Sequence, residues 1–191
     1  MSAEITGAKI MEDKIIDASK SLHIRLLSRE DAASLLQFEL NNRAWFETQI
    51  EARPTAFYSL EGVQRHISAL LVDYAAGKFH PCLLVNAESE ILGRANLKNI
   101  NQDEGSAEVG YRIAYQHPGK GFASAALLHL IASARFEWHL QRLHAYVLDG
   151  NPASSRVLQK AGFIADQVIP NLARVNQLEL DGKRYTFDLV S

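Results

Sequence analysis

One run constrains this chain more than any other. Gly110-Tyr111-Arg112-Ile113-Ala114-Tyr115-Gln116-His117-Pro118-Gly119-Lys120-Gly121-Phe122-Ala123-Ser124-Ala125-Ala126-Leu127-Leu128 reads as a strand, a glycine turn and the opening of a helix. A helix start leaves backbone N–H groups without partners and carries a partial positive charge, and glycines let an anion approach those amides closely. Lys120 adds a full charge beside them, and Ala123, Ser124, Ala125 and Ala126 keep the first turns low enough for a bulky ligand to lie across them. On the glycine pair alone, an ordinary tight strand-to-helix connection reads equally well.

A second run, Asn151-Pro152-Ala153-Ser154-Ser155-Arg156-Val157-Leu158-Gln159-Lys160-Ala161-Gly162-Phe163, follows a β-like stretch. Together the two runs resemble the GNAT superfamily of N-acetyltransferases and, within it, the branch that acetylates the N-termini of ribosomal proteins. That family holds the acetyl-CoA pyrophosphate on the backbone of a Gln/Arg-x-x-Gly-x-Gly/Ala turn, which falls here on Pro118 to Ala123. Its Asn-x-x-Ser motif falls on Asn151 and Ser154, followed by Leu158, Gly162 and Phe163. The resemblance runs from about residue 21 to the C-terminus and is strongest from Ile91 to Phe163. It implies cofactor contacts from Gly110, Tyr111, Arg112, Ile113, Gly119, Lys120, Gly121, Phe122, Ala123, Ser124, Asn151 and Ser154. Pro118 stands where relatives carry Gln or Arg and has no N–H to give. A lost hydrogen bond to a charged group costs about 1.5–3 kcal/mol, which Lys120 is placed to offset.

The chain of 191 residues is 47% hydrophobic and 22% charged, which suits one domain with a sizeable core. A net charge of −2 argues against nucleic-acid and membrane-surface partners, which select a basic face. Cys82 is the single cysteine, so no disulfide framework is expected. The seven histidines are scattered without paired ligand spacing, so no metal is expected either. Residues 1–20 lack the cationic start and apolar core of a signal peptide, and no run approaches a membrane span; a cytoplasmic protein is expected.

Residues 1–20 read as a polar N-terminal extension, and 21–191 as a single domain. Ser21 to Leu27 alternates as a first strand, Ser28 and Asp31 open a helix ending near Asn41-Asn42, and Ser59 caps a second helix reaching Gly77. Phe79–Val85 and Ile91–Ile100 flank a polar turn as a hairpin, with Pro81 marking an edge or non-bonded position. Ala107–Ile113 feeds the glycine turn, and a helix follows from Lys120 to about Trp138. Arg142–Leu148 is the next strand, Asn151 and Pro152 start a helix that Gly162 ends, and two strands close the chain, the last being Arg184–Val190 after an Asp181-Gly182 turn. This order is no repeating βαβ unit. It predicts an α+β fold of the GNAT type, a mixed, mostly antiparallel twisted sheet of about seven strands flanked by four helices. In the family the strand ending at Ile113 bulges to expose amides, which Gly110 would permit.

The segment from Arg43 to Tyr58 carries Trp45, Phe46, Phe57 and Tyr58 around Pro54. In GNAT proteins this region forms part of the acceptor wall, which implies substrate contacts from Trp45, Phe46, Glu47 and Tyr58; equally, the aromatic residues cover core surface. Acetyl transfer to an amine needs a bound thioester, a neutral amine, a donor for the developing oxyanion and a proton for the leaving thiolate. Glu108 is the leading candidate base, with a cross-strand ion pair as its alternative role and His80 and Glu179 as other candidates. Ser154 is the candidate acid, with a first-turn helix role as its alternative; no tyrosine lies within 151–163. Thr186 falls where relatives often carry an aspartate. The expected function is an acetyl-CoA-dependent N-acetyltransferase acting on a protein N-terminal alanine or serine. A small-amine acetyltransferase for a polyamine, amino-acid derivative or antibiotic, or a noncatalytic acyl-CoA sensor, stay open, and a homodimer is allowed.

Overall fold

The computed structural model describes residues 22–189. The extension expected over 1–20, Ser21 at the start of the first expected strand and Val190 at the end of the last lie outside the described residues. Seven strands, β1 (His23–Leu26), β2 (His80–Val85), β3 (Ile91–Asn101), β4 (Ser106–Ile113), β5 (Arg142–Leu148), β6 (Ile164–Val175) and β7 (Leu178–Asp188), form one sheet in the order β1-β2-β3-β4-β5-β7-β6. Every neighbouring pair is antiparallel except β4 and β5. The helices are α1 (Ala32–Asn41), α2 (Arg43–Glu47), α3 (Leu60–Ala75), α4 (Phe122–Phe136) and α5 (Pro152–Lys160), with 3-10 turns at Arg29–Asp31 and Thr55–Phe57. The expected mixed, mostly antiparallel sheet is what the chain forms. A fifth, five-residue helix appears because Arg43–Glu47 coils inside the aromatic segment.

Successive strand residues face opposite sides of a sheet, and residues paired across strands share a side. Cys82, Leu84, Ala95, Leu97, Ala107, Val109, Leu143, Ala145 and Val147 therefore build one apolar face, which α4 covers with Phe122, Ala126, Leu127, Leu130 and Ala134 and α5 with Leu158. The other face carries Leu83 and Val85 under α1 and α3, whose Leu35, Phe38, Val63, Ile67 and Leu70 are buried there with Phe46 and Phe57. This second layer stops short of β5. The β4 and β5 side chains Ser106, Glu108, His144 and Tyr146 line an open depression of about 330 Å³ on that uncovered part of the sheet.

Two local expectations are corrected and a third is met in one of its two forms. The β3–β4 ladder runs in one register from Gly93↔Ile113 to Lys98↔Glu108, so β4 does not bulge at Gly110; the irregularity lies between Lys98 and Asn101, where Asn99 has φ 50°. Pro81 lies in an interior strand and not at an edge, but it meets the other expectation, a non-bonded position, being one residue beyond the Leu26↔Cys82 pair that ends the β1 ladder. Asp181-Gly182 is not the final turn: β7 runs straight through it, and Asn176 and Gln177, at φ 49° and 67°, make the β6–β7 hairpin turn. Two successive positive φ values match the twist of the flanking strands, as in the favoured two-residue hairpins.

Ser59 caps α3 as expected, its hydroxyl accepting from the Gly62 amide at 3.0 Å. Gly62 lets this first helical turn lie against the Thr55–Phe57 turn: a Cβ there would collide with the Ala56 carbonyl oxygen and stand 2.8 Å from that of Phe57. Gly62→Ala forces backbone apart in the acceptor-side segment and is expected to cost about 2 kcal/mol, because overpacking outweighs the gain in helix propensity. Denaturant unfolding checks this; an unchanged midpoint would contradict the contact.

Candidate active site

The site is built where β4 and β5 part. Their parallel ladder holds over only Ser106↔Arg142, Ala107↔Leu143 and Glu108↔His144, after which β4 continues to Ile113 along β3 and β5 to Leu148 along β7. Beyond Glu108 the facing edges form a cleft lined by backbone polar groups. Its two sides run directly into the two motifs read from the sequence: β4 into the glycine turn and α4, β5 into Asn151 and α5.

At the turn, Gly119 and Gly121 adopt φ 72° and 80°, a region that side chains rarely enter, and a Cβ added at either would meet nothing within 4 Å. Gly121 caps α4 without a side-chain hydrogen bond, and no acidic residue occupies the first turn. The leading amides of a helix fifteen residues long thus face open space, the arrangement that suits a phosphate. Lys120 Nζ stands 3.2 Å from His117 Nδ1, at the rim of this turn. The cradle is one that a phosphate fits, with Gly119, Lys120, Gly121, Phe122, Ala123 and Ser124 as its expected residues.

On the α4/α5 side of the cleft, Asn151 caps α5 by accepting from the Ser154 amide at 3.1 Å. Its side-chain amide also donates to Gln49 Oε1 at 3.3 Å, so the Arg43–Tyr58 segment touches the cap of α5. The hydroxyl of Tyr111 is buried without a well-formed hydrogen bond and faces Ser154. Burial raises the Tyr111 pKa, and the nearby Ser154 hydroxyl opposes the shift. Sequence reasoning chose Tyr111 for its place in the motif alone. The two-residue period of β4, which sends Tyr111 to the α4/α5 face, was the available signal for its hydroxyl.

Glu108 lies at the foot of the cleft, on the opposite face. It accepts from Asn99 Nδ2 at 2.7 Å and lies 3.4 Å from Lys98 Nζ, directly across the ladder, so the cross-strand ion pair does form. The same carboxylate lines the depression beside His144 and Tyr146. Asn96, opposite Gly110, leaves a buried Oδ1 without a partner among the described residues. Neither Tyr146 nor Asn96 had been singled out, because nothing local distinguishes them before the strands are paired. His80 is removed from the candidate bases: it is buried beneath α4, its Nδ1 accepting the Trp138 indole N–H at 3.1 Å. Glu179 is exposed on the β6–β7 hairpin, beyond the Gly182↔Leu148 pair that ends β5. Thr186 donates to Asp166 on β6 at 2.8 Å, so a carboxylate reaches this place from the neighbouring strand.

In the aromatic segment, Trp45 is 44% exposed and free to act as a wall, whereas Phe46 is corrected from wall to core, at 6% exposure against Phe38. Glu47 is held by Arg43 at 2.7 Å, and Arg43 in turn lies 4.2 Å over the Tyr58 ring. Beneath them is a charge cluster that sequence spacing did not reveal. Glu39, 1% exposed on its side chain, pairs with Arg94 Nη1 at 2.6 Å, and lies 3.7 Å from Arg112 Nη1 and 3.9 Å from Arg53 Nε. Arg94 Nη2 contacts His66 Nε2 at 3.1 Å; a guanidinium only donates, so Nε2 is the acceptor and Nδ1 carries the proton. Burial, with Arg94, Arg53 and Arg112 adding, pushes the His66 pKa down to about 3. Burial also brings Arg112 down to about 10, helped by Arg53 and Arg94 and opposed by Glu39.

The fold further brings together His80, Cys82 and His129, whose donor atoms lie within 4.8 Å of one another, close enough to share an ion. His129 lies 47 positions from Cys82, which is why histidine spacing missed the group. Burial, aided by Glu137, pushes the Cys82 thiol up to about 12, so a metal would have to displace its proton.

The sequence matches the family profile described as Acetyltransferase (GNAT) domain over residues 21–164. The chain belongs to the GNAT acetyltransferase family. It is 24% identical over 170 residues to the ribosomal-protein-serine acetyltransferase of Escherichia coli (strain K12), covering 89% of this chain and 94% of the relative. Identity to the spermidine N(1)-acetyltransferase of Vibrio cholerae is 26% over 170 residues, covering 87% and 92%. The ribosomal-protein-S5-alanine acetyltransferase of Vibrio fischeri superposes with a TM-score of 0.86 over 90% of this chain and 94% of that one, at 21% identity. The expected GNAT resemblance and acyltransferase class are thus borne out, and the protein is an acetyl-CoA-dependent N-acetyltransferase.

His66 sets a testable pH dependence for this GNAT domain. The folded pKa lies below the unfolded value of 6.5, so the stability contributed by neutral His66 is complete above pH 6.5 and lost as pH falls towards 3. One proton gives a slope of up to about 1.4 kcal/mol per pH unit. His66→Gln, which keeps an acceptor for Arg94, is expected to reduce the slope of unfolding free energy between pH 6.5 and 4; an unchanged slope would contradict the assignment.

Proposed function

We propose that this acetyltransferase modifies the α-amine of a protein beginning with alanine or serine, with acetyl-CoA lying along the β4/β5 cleft and its pyrophosphate at the Gly119–Ser124 turn. The observation that carries the cofactor placement is the pair of open, positive-φ glycines before an uncapped helix start, at the end of a strand that has left its neighbour. The thioester supplies the acetyl group. Glu108 takes the ammonium proton, directly or through water from the depression it lines. The freed nitrogen attacks the thioester carbonyl and forms the amide bond as the carbon–sulfur bond breaks, its second proton passing to water in the depression, and Ser154 gives its proton to the departing sulfur. Tyr111, whose hydroxyl faces Ser154, is placed to restore that proton. Backbone amides of β4 exposed by the cleft serve the developing oxyanion.

A peptide amine suits the acceptor side better than a polyamine. Trp45 offers exposed aromatic surface, while Arg53, Arg94 and Arg112 outnumber Glu39 next to it and would repel a polycation. These features support the N-terminal reading over the small-polyamine alternative, and a cytoplasmic setting accords with ribosomal-protein acceptors. Thiol release from acetyl-CoA with an alanine-initiated peptide, set beside spermidine, tests it. Peptide turnover is expected; spermidine turnover with inert peptides would overturn the N-terminal reading, and tight acetyl-CoA binding without turnover of any amine would favour the sensor. Ser154→Ala is expected to lower kcat about a hundredfold while the acetyl-CoA dissociation constant changes little, since a general acid acts in the transition state. Equal kcat in mutant and wild type would leave Ser154 a helix residue.

A further inference from the structure

The buried arginine cluster has more positive charge than its surroundings use. Three guanidiniums, from Arg53, Arg94 and Arg112, converge on the single carboxylate of Glu39, and His66 stands neutral against Arg94. Arg43 beside them is already matched by Glu47, and Tyr58 is an uncharged phenol. Two positive charges are left without a counter-ion among the described residues. Arg53 Nε and Arg112 Nη1 are buried and have no hydrogen-bond partner among the described residues. Charges and donors of this kind are retained in a protein interior when something completes them, because an unmatched buried charge or donor is costly.

The position of the cluster says what completes it. Glu39 and Arg94 are sealed, at 1% and 5% side-chain exposure, but Arg53 and Arg112 keep 21% and 29%, so the cluster opens outwards through these two. Arg112 shares its face of β4 with Gly110 and Glu108, and two residues of strand place it about 7 Å from Gly110. Arg53 belongs to the segment whose Gln49 touches Asn151 at the cleft. The pyrophosphate turn leads into α4 on the opposite face of the sheet. An anion on the Arg53/Arg112 edge therefore comes from the acceptor.

We propose that Arg53 and Arg112, backed by Arg94, bind a carboxylate carried by the acceptor close to the amine that is acetylated. Arginine's planar fork pairs with carboxylates through two parallel hydrogen bonds, and Arg53 and Arg112 keep part of their side chains exposed for this, while Arg53 Nε and Arg112 Nη1 themselves face Glu39. The carboxylate belongs to an aspartate or glutamate near the N-terminus of a peptide, or to a free amino acid. This inference rests on the amine-acetylation reading for its setting, and the test separates the two.

The experiment compares acceptors differing only in the carboxylate. Peptides beginning Ala-Asp and Ala-Glu are set against their Ala-Asn and Ala-Gln counterparts, and free alanine against alaninamide, by thiol release and by calorimetric titration into CoA-saturated protein. The acid-bearing member of each pair is expected to bind about ten to a hundred times more tightly. Preference in the peptide pairs names a peptide source; preference confined to alanine names a free amino acid. Arg53→Gln is expected to bring the acid-to-amide ratio towards one, and Arg112→Gln serves if Arg53→Gln does not fold. Discrimination in the titrations without turnover would keep this inference and remove the acetylation reading. Turnover without discrimination in wild-type protein would overturn it, as would an Arg53→Gln variant that loses acetyl-CoA affinity instead of acid preference.

Discussion

Everything at the candidate site depends on two parallel strands that stay together for three residue pairs and then separate. Backbone amides and carbonyls inside a sheet are ordinarily matched by the next strand, and leaving them buried and unmatched is expensive. Here β4 follows β3 and β5 follows β7, so each strand keeps its outer ladder while the inner edges open. An extended ligand with polar groups along its length completes such a gap as a strand would. The same divergence delivers the ends of β4 and β5 to two helix starts, the glycine turn before α4 and the Asn151 cap of α5. The open glycine turn and the Ser154 hydroxyl owe their placement to one topological fact.

The two faces of the sheet divide the chemistry. The α4/α5 side packs a large apolar cluster, with the Tyr111 and Ser154 hydroxyls facing one another beside it and the His80, Cys82 and His129 group under α4, which suits delivery of a proton to a sulfur kept from bulk water. The α1/α3 side ends before β5 and leaves Glu108, His144 and Tyr146 open to an arriving amine. Between them, the Arg43–Tyr58 segment is fastened at several points: Gln49 to Asn151, Arg43 to Glu47, and the Thr55–Phe57 turn against Gly62. Asn42 adds another, its Oδ1 accepting from the Tyr115 amide at 2.9 Å just before the glycine turn. The acceptor wall and the cofactor turn therefore share a fixed frame, which is what positioning two reactants demands.

The sheet, the helices and the turns that carry the two motifs were legible because they rest on local signals. Asn151-Pro152 with Gly162 framed α5, Ser59 announced α3, and Arg142–Leu148 was bounded correctly by its alternation. Errors came where two local rules competed. Asp181-Gly182 has turn chemistry, yet Gly182 is needed inside β7 because a Cβ there would collide with the Leu172 side chain and stand 2.5 Å from the Val147 carbonyl oxygen. For Phe46 the family resemblance implied a wall and the aromatic clustering allowed core cover equally; the short helix around it turns its ring inward. What could not be read at all was long-range electrostatics. Glu39 and Arg94 are separated by 55 positions, and nothing near either marks it as half of a buried pair. Arg112 was noted for its backbone place in the motif, and its guanidinium gained meaning only once β3 lay beside β4.

The central claim is that acetyl-CoA occupies the opening between β4 and β5 and completes the backbone there. Amide hydrogen exchange with and without acetyl-CoA measures this directly, since bonded and shielded amides exchange slowly. Protection is predicted in peptides covering 109–113, 119–124 and 151–155, with the exposed β6–β7 hairpin around 170–178 unchanged. Saturating acetyl-CoA that left 109–113 and 119–124 exchanging as in the free protein, or that protected only the hairpin, would contradict the account.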